Sequence, residues 1–348
     1  MKRRKMKKQV ILIGRINQGH LPIGGETAKN QALVSALSKY CRVTPLDFYR
    51  NKQRPWVYLQ TLWALLTQPK ATIILSTTTS NIYPLLKAFK KLGIRRNIIH
   101  WIVGGEFDKL VEAGRYDVDV LKVANLHLAQ SRQMAERLKS CGLNVKYIPN
   151  FRQIARLPQK KITQQTGKTR FVFMSRIMKE KGVGDILACV AMLNARSLQE
   201  HFTVDFYGRL DENYKIEFER TIMELPNAHY YGTLDLRNGY DTLASYDAML
   251  FPTFHPSEGI AGAIIDAFIA GVPVIASDWG HNREIVDDGT TGIIVPVHDT
   301  EALGKVMEKI IQGKIDLHEL SRNAQLEARN YNAENVISED FLKKISIL

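Results

Sequence analysis

Twice over, this chain alternates short apolar runs with stretches of helical periodicity. In the first half the runs are QVILIG, RVTPLDF, ATIILST, NIIHWIVG, LHLAQ and VKYIPN. Between them ETAKNQALVSALSKY, VYLQTLWALLT, IYPLLKAFKKLG and RQMAERLKSCG repeat apolar residues at helical spacing. The second half does the same, with strand-like RFVFMS, TVDFYG, AHYYG, DAMLFPT, VPVIAS and TGIIVPV, and helix-like GVGDILACVAMLNA, NYKIEFERTIMEL, AGAIIDAFIAG and TEALGKVMEKIIQG. A run that is apolar without alternation reads as a strand covered on both faces. Such strands, joined through helices, form parallel sheets. The fold class is therefore α/β, with two doubly wound, Rossmann-like domains in tandem.

The first domain is expected over 1–152 and the second over 169–331, joined by a polar, aperiodic linker over 153–168. The closing segment NAENVISEDFLKKISIL places Ile337, Phe341, Ile345 and Leu348 at helical spacing. It predicts a helix over 332–348 that packs back on the first domain. In doubly wound folds ligands bind beyond the carboxyl ends of the strands, here expected to face a cleft between the domains.

At 348 residues and 45% hydrophobic content the chain can bury two ordinary cores. Cys41, Cys141 and Cys189 are far apart in sequence, which argues against a disulfide framework or a zinc site and fits a reducing compartment. No apolar run approaches the roughly 20 residues of a membrane span. The opening MKRRKMKKQ runs straight into a strand and does not read as a signal peptide. With 48 Lys and Arg against 35 Asp and Glu, the net charge is +13. That excess suits an anionic partner or a plain solvated surface. Lys2, Arg3, Arg4, Lys5, Lys7 and Lys8 cluster where they can dwell at an anionic membrane. No helix-turn-helix, zinc-finger or RNP pattern organises the charge for specific nucleic-acid binding.

Several strand-to-helix loops carry chemistry-bearing residues. After VILIG, Gly24 and Gly25 open a helix and can present backbone amides to a phosphate, or form a plain turn. A dinucleotide fingerprint is absent from this loop, and KGVGDIL fails it too, with Leu187 where a third glycine belongs. In FVFMSRIMKEKGVGDIL, Arg176 stands at a strand end and Lys181 at a helix start, a pair suited to a diphosphate. In FHPSEGIAGAIIDAFIAG, Glu258 stands at a strand's carboxyl end, Gly259 and Gly262 bare the amides that open a helix, and Asp266 lies two turns into it among packing residues. A carboxylate so placed needs a partner, and ribose hydroxyls would serve. Asp117 and Asp119 of YDVDV do not form a metal-binding Asp-x-Asp motif at a strand end, and His100 reads as a core histidine. Trp56, Tyr58 and Trp63 read as core packing ahead of membrane contact.

The run from Glu258 to Asp266 resembles the E-x7-E element of retaining GT-B glycosyltransferases of the family-4 type. The resemblance extends over nearly the whole chain, through the Gly24–Gly25 loop, IPNF, SRIMKEKG, FYGR, YYGTL and GVPVIASDWGHNREIVDDGTTGIIV. Within that family it is most similar to bacterial transferases that build capsule, exopolysaccharide or lipopolysaccharide units. The resemblance implies that Glu258 meets the donor sugar, with the amides of Gly259, Ile260, Ala261 and Gly262 on sugar and diphosphate. It implies Asp266 on the ribose, Arg176 and Lys181 on the diphosphate, and Gly208 and Gly232 beside the base. Glu106, after NIIHWIVGG, becomes the candidate acceptor contact. The implied chemistry needs no metal and no cofactor beyond the nucleotide-diphosphate sugar itself. The implied acceptor is a saccharide or lipid-linked saccharide, and the implied location is the cytoplasm, peripheral at the inner face of the membrane. Three departures stand out. Asp266 is one methylene shorter than the usual Glu, roughly 1.5 Å less reach. Ile260 replaces a common Phe, and FYGR lacks an acidic residue. A partner-dependent subunit without turnover and a GT-B nucleotide-sugar epimerase are the alternatives.

Overall fold

The computed structural model describes residues 7–22, 24–160 and 167–348, apart from the side chains of 236–238. Lys2, Arg3, Arg4 and Lys5 of the basic tail and 161–166 of the expected linker lie outside the described residues. The chain divides into two compact units. The first runs to Gln153 and takes back Asn330–Leu348; the second is Ile154–Arg329.

The first unit is a parallel sheet of β1 (Gln9–Gly14), β2 (Arg42–Asp47), β3 (Thr72–Ser76), β4 (Ile98–Trp101), β5 (Leu126–Ala129) and β6 (Val145–Tyr147), in the order β2-β1-β3-β4-β5-β6. Both faces of β1 are buried: Ile11 and Ile13 join one apolar cluster, Val10 and Leu12 the other. Pro45, paired with Leu12, has no N–H to donate, and β2 accordingly lies at the sheet edge. The chain goes from β1 to β2, then crosses back over β1 to β3. Its switch point is therefore the gap between the carboxyl ends of β1 and β3.

The second unit repeats the plan with β7 (Thr169–Met174), β8 (Phe202–Tyr207), β9 (Ala228–Tyr230), β10 (Ala248–Phe251), β11 (Val274–Ser277) and β12 (Gly292–Val295), in the order β12-β11-β10-β7-β8-β9. Here the switch point lies between β7 and β10. Each sheet carries helices on its faces, as the alternating pattern requires.

The structure departs from the sequence reading in two places within the first unit. The closing segment is not one helix. Ile337 leaves helical geometry after Ala333–Val336, and the Ser338 hydroxyl accepts the Phe341 N–H at 3.2 Å to start a second helix, Glu339–Lys344. The break turns Ile337, Leu342, Ile345 and Ile347 into the same apolar cluster as Leu33 and Leu37, whereas Phe341 and Leu348 are only partly buried. The second departure is the helix Trp56–Thr67, which buries Val57, Thr61 and Ala64 but leaves Trp56, Tyr58 and Trp63 exposed, so those aromatics are not core. His100 is indeed a core residue, with Nδ1 3.0 Å from Nδ1 of His127 and burial holding its pKa well below the ordinary range. No helix among the described residues is long and apolar enough to cross a membrane.

One charge in this unit is badly placed for stability. Lys29, in the helix Gly25–Ser38, is 3% exposed, and its Nζ has no hydrogen-bond partner among the described residues. Burial pushes its pKa down to about 7, with Glu26 only partly offsetting that. The unfolded chain therefore holds a proton that the folded one has lost between about pH 7 and the ordinary 10.5. Stability contributed by this site rises with pH across that window. Lys29→Met should raise the melting temperature at pH 7 by about 2 °C or more. It should also flatten the pH dependence between 7 and 10 in paired calorimetric scans. An unchanged melting temperature and unchanged slope would show that Lys29 finds a partner in solution.

Candidate active site

Two loops meet at the switch point of the second unit, one after β7 and one after β10. The first keeps strand-like pairing beyond β7. Ser175 donates to the Tyr207 carbonyl at 3.0 Å and Ile177 to that of Arg209 at 2.9 Å. Successive side chains therefore alternate, with Ile177 fully buried and Arg176 exposed. Gly208 makes this close approach possible. Its φ is +149°, and a Cβ there would stand 1.6 Å from the Ser175 carbonyl oxygen. Its N–H donates to Gly232 at 2.7 Å and its carbonyl accepts the Tyr230 hydroxyl at 2.9 Å, which brings the two glycines together.

The loop then makes a 3-10 turn, Lys179–Lys181, before the helix Val183–Ala195 begins. Lys181 thus precedes the helix and does not sit in it. Gly182 has φ +74°, and a Cβ there would lie 2.1 Å from the Pro252 carbonyl oxygen. Only glycine lets this turn pass so close to the residue that follows β10. The Phe254 N–H donates to the Glu180 carbonyl at 2.8 Å and joins the two loops.

That junction sets Lys181 against Glu258. The ammonium and Oε2 form an ion pair with side-chain exposures of 13% and 10%. Thr253, fully buried, donates its hydroxyl to the same Oε2 at 2.9 Å and accepts the His255 N–H at 3.2 Å. The His255 carbonyl accepts both the Glu258 N–H at 3.0 Å and the Trp279 indole at 2.8 Å, which closes the turn. Burial lowers the His255 pKa, and the Lys181 charge lowers it further. Arg176 lies outside the pair; its Nη1 rests 3.9 Å from Met178 Sδ. Thus Lys181 is largely buried and paired, whereas Arg176 is exposed.

Beyond Glu258, Gly259 and Ile260 lead to Ala261, which caps the helix Gly262–Ile269 without a side-chain oxygen. The helix starts at Gly262, so Asp266 is one turn in and not two. Asp266 is 5% exposed, and the Tyr240 hydroxyl donates to its Oδ1 at 2.9 Å. A protein group therefore supplies part of what a ribose was expected to supply. Thr253, Trp279 and Tyr240 were not singled out from sequence. Thr253 had a signal, standing just past a strand and five residues before Glu258. Tyr240 had none, 26 residues from its partner.

Of the other sequence candidates, Gly24 and Glu106 lie in the first unit, past the carboxyl ends of β1 and β4. Gly24 caps the helix Gly25–Ser38. Glu106 stands past β4 at the N-cap of Phe107–Glu112, and its side chain makes no capping bond. Asp117 caps Val118–Leu121 by accepting the Asp119 N–H at 2.8 Å, and Asp119 pairs with Lys122 at 3.2 Å.

Two parallel six-stranded sheets with flanking helices are the GT-B arrangement. The structure superposes on that of Anabaena HepE in complex with UDP and glucose, with a TM-score of 0.69 over 98% of this chain and all of that one, at 16% identity. Residues 156–327, which lie within the second unit, match the family model of glycosyl transferases group 1. An uncharacterized protein of the cps region of Klebsiella pneumoniae is 25% identical over 58% of this chain. The amylovoran biosynthesis glycosyltransferase AmsK of Erwinia amylovora is 23% identical over 42% of it. The matches span 49% and 37% of those relatives' own lengths.

The ion pair yields a test that needs no substrate. Removing Lys181 alone strands a buried carboxylate, which typically costs about 3 kcal/mol. Removing both charges relieves that. In denaturant unfolding, Lys181→Met should therefore destabilise more than Lys181→Met/Glu258→Gln, with a coupling of about 1–3 kcal/mol. Additive losses would mean the two groups do not pair in solution.

Proposed function

We propose that this chain is a retaining, metal-independent hexosyltransferase of the family-4 type. It moves a sugar from a nucleotide-diphosphate sugar, UDP- or GDP-linked, to a saccharide or lipid-linked saccharide acceptor in surface-polysaccharide assembly. It works in the cytoplasm, at the inner face of the membrane, with its basic N-terminus attracted to anionic lipid. The observation that carries this reading is the Lys181–Glu258 pair, seated with Thr253 at the switch point of the second unit and beside the start of the Gly262 helix. The match to the family model and the similarity to the amylovoran biosynthesis glycosyltransferase AmsK support it. The UDP and glucose bound to HepE make a UDP-linked hexose the first donor to test.

In this reading the resting pair opens when the donor binds. Lys181 turns from Glu258 to the diphosphate, and Glu258 accepts from a hydroxyl of the sugar. Neither charge is left bare at any stage. The bond between the anomeric carbon and the diphosphate oxygen breaks, and its electron pair goes to the diphosphate. Lys181, Arg176 and the first amides of the Gly262 helix stabilise that growing charge. The acceptor hydroxyl attacks from the same face, forms the new glycosidic bond and passes its proton to the departing phosphate oxygen. Glu106 is assigned to the acceptor side.

A second reading, a subunit that binds without turnover until a partner joins it, draws on Asp266. In that reading the bond from the Tyr240 hydroxyl makes Asp266 a structural acid. Turnover by the purified chain alone removes that reading.

Binding comes first. A donor present at a hundred times its dissociation constant should stabilise the fold by about 2.7 kcal/mol, read as a thermal shift. Arg176→Ala should then cut turnover by about 10²-fold with the melting temperature preserved, because the side chain is exposed. Full activity in Arg176→Ala would sink its role on the diphosphate.

Kinetics separate the two acids. Glu258→Gln should chiefly lower kcat, since the sugar is where bonding changes. Asp266→Asn should chiefly raise the donor KM, since the ribose is remote from the reaction. Asp266→Glu should keep or improve donor affinity if a gap separates the shorter acid from the ribose, and should disrupt it if the pocket is built around Asp266. An Asp266→Asn variant that unfolds readily while its donor KM stays unchanged would make the acid structural.

A further inference from the structure

The helix Trp56–Thr67 is apolar on both sides. Its inner side packs Val57, Thr61 and Ala64 against the sheet. Its outer side carries Trp56, Leu59, Leu62, Trp63 and Leu66, with exposures of 49%, 70%, 55%, 70% and 69%. At 100° per residue these five fall on one face, opposite the buried three. The twelve residues WVYLQTLWALLT contain no charge at all. A helix that is apolar all round is normally buried on all sides or lies in contact with lipid. This one is covered on one side only.

What surrounds the stripe says what covers it. No Asp or Glu occurs between Asp47 and Glu106. Within that stretch, exposed cations stand at both ends of the helix: Arg50, Lys52 and Arg54 before it, Lys70 after it. The Arg54 guanidinium lies 5.8 Å from the Trp56 ring centroid, so one cation is held at the rim of the apolar face. At the other end Arg96 binds carbonyls of the last turn and of Pro69, including that of Leu65 at 3.3 Å. Lys87, Lys90 and Lys91 add exposed charge on the next helix, Thr79–Lys91.

We propose that the outer face of the helix Trp56–Thr67 is a seat for an anionic lipid bilayer, with the helix lying in the plane of the headgroups. Leu59, Leu62 and Leu66 enter the acyl boundary. Trp56 and Trp63 sit at headgroup level, where indole rings are favoured. The flanking lysines and arginines meet lipid phosphates. A second copy of this chain fits the same face poorly, because it would bring two acid-free basic surfaces together. The surface differs from the basic N-terminus and does not rest on the donor site. A chain that binds vesicles through this helix and transfers no sugar would uphold the inference and sink only the proposed reaction.

The test uses the full chain and vesicles of phosphatidylcholine with or without phosphatidylglycerol. The wild type should sediment with phosphatidylglycerol vesicles, less so at high salt, and its tryptophan emission should shift to the blue. Leu59→Gln/Trp63→Gln should weaken that binding by about ten-fold or more, although it keeps every residue of the basic N-terminus. Its melting temperature and its thermal shift with nucleotide sugar should match the wild type. Lys52→Gln/Lys70→Gln should erase much of the preference for phosphatidylglycerol. Trp63→Phe should keep binding and lose most of the emission shift. Equal vesicle binding by Leu59→Gln/Trp63→Gln and wild type overturns the proposal. So does a wild-type dimer in sedimentation equilibrium that the same double variant dissolves.

Discussion

A parallel strand cannot be joined to its neighbour by a tight turn. Every connection must leave the sheet, cross one face and return, so all strand-to-helix loops gather at one edge. Where the winding reverses direction, the two loops that flank the reversal diverge and leave room between them. In the second unit those are the loops after β7 and β10, and Arg176, Lys181, Glu258 and Gly259 all fall on one or the other. Lys181 and Glu258, 77 residues apart in the chain, become neighbours for this topological reason. Gly182 and the bond from Phe254 to Glu180 then set the final approach.

A buried ion pair is costly to assemble and more costly to break from one side. At Lys181 and Glu258 the balance is eased by Thr253, which donates to the same carboxylate oxygen, and by a rim that stays partly open to water. Such a pair has a property that an isolated cation lacks. In the proposed reaction each member exchanges its partner for a polar ligand group without passing through an unpaired buried state. A diphosphate can replace the carboxylate beside Lys181, and sugar hydroxyls can replace the ammonium beside Glu258. The resting bond holds both side chains in place and limits the rotamer entropy lost on binding.

The parallel architecture was legible in the sequence because burial on both faces leaves an unbroken apolar signature, as in VILI of β1 and VIAS of β11. The site was legible for a related reason: a polar residue at the end of such a run is conspicuous. Both signals are local. What failed did so for several reasons. Tyr240 lies on a separate segment from Asp266 and carries no local mark of their bond. The apolar spacing of Ile337, Phe341, Ile345 and Leu348 suits one helix, yet the Ser338 cap interrupts it and a different set of side chains reaches the core. In WVYLQTLWALLT the difficulty is of another kind. Periodicity cannot tell which apolar side of a helix faces the core when both sides are apolar. The absence of acids from Asp47 to Glu106 was the readable clue, and it lies outside the helix itself.

The two cations assigned to one diphosphate differ in a way that separates their work. Lys181 is desolvated, paired and held by a fixed turn. Arg176 is exposed, and its Nη1 rests 3.9 Å from the Met178 thioether. Charge stabilisation is strongest where water is excluded and the donor needs no reorganisation. Lys181 meets both conditions once Glu258 releases it, but that release must be compensated by the ligand. Arg176 has no such bond to break, yet it is screened by solvent and must give up side-chain freedom to engage. Salt should therefore weaken the Arg176 contact more than the Lys181 contact. A planar guanidinium free to turn can grip two phosphate oxygens at once, which a point ammonium cannot. In the proposed reaction Arg176 would therefore capture the diphosphate from solution, and Lys181 would hold it as negative charge accumulates.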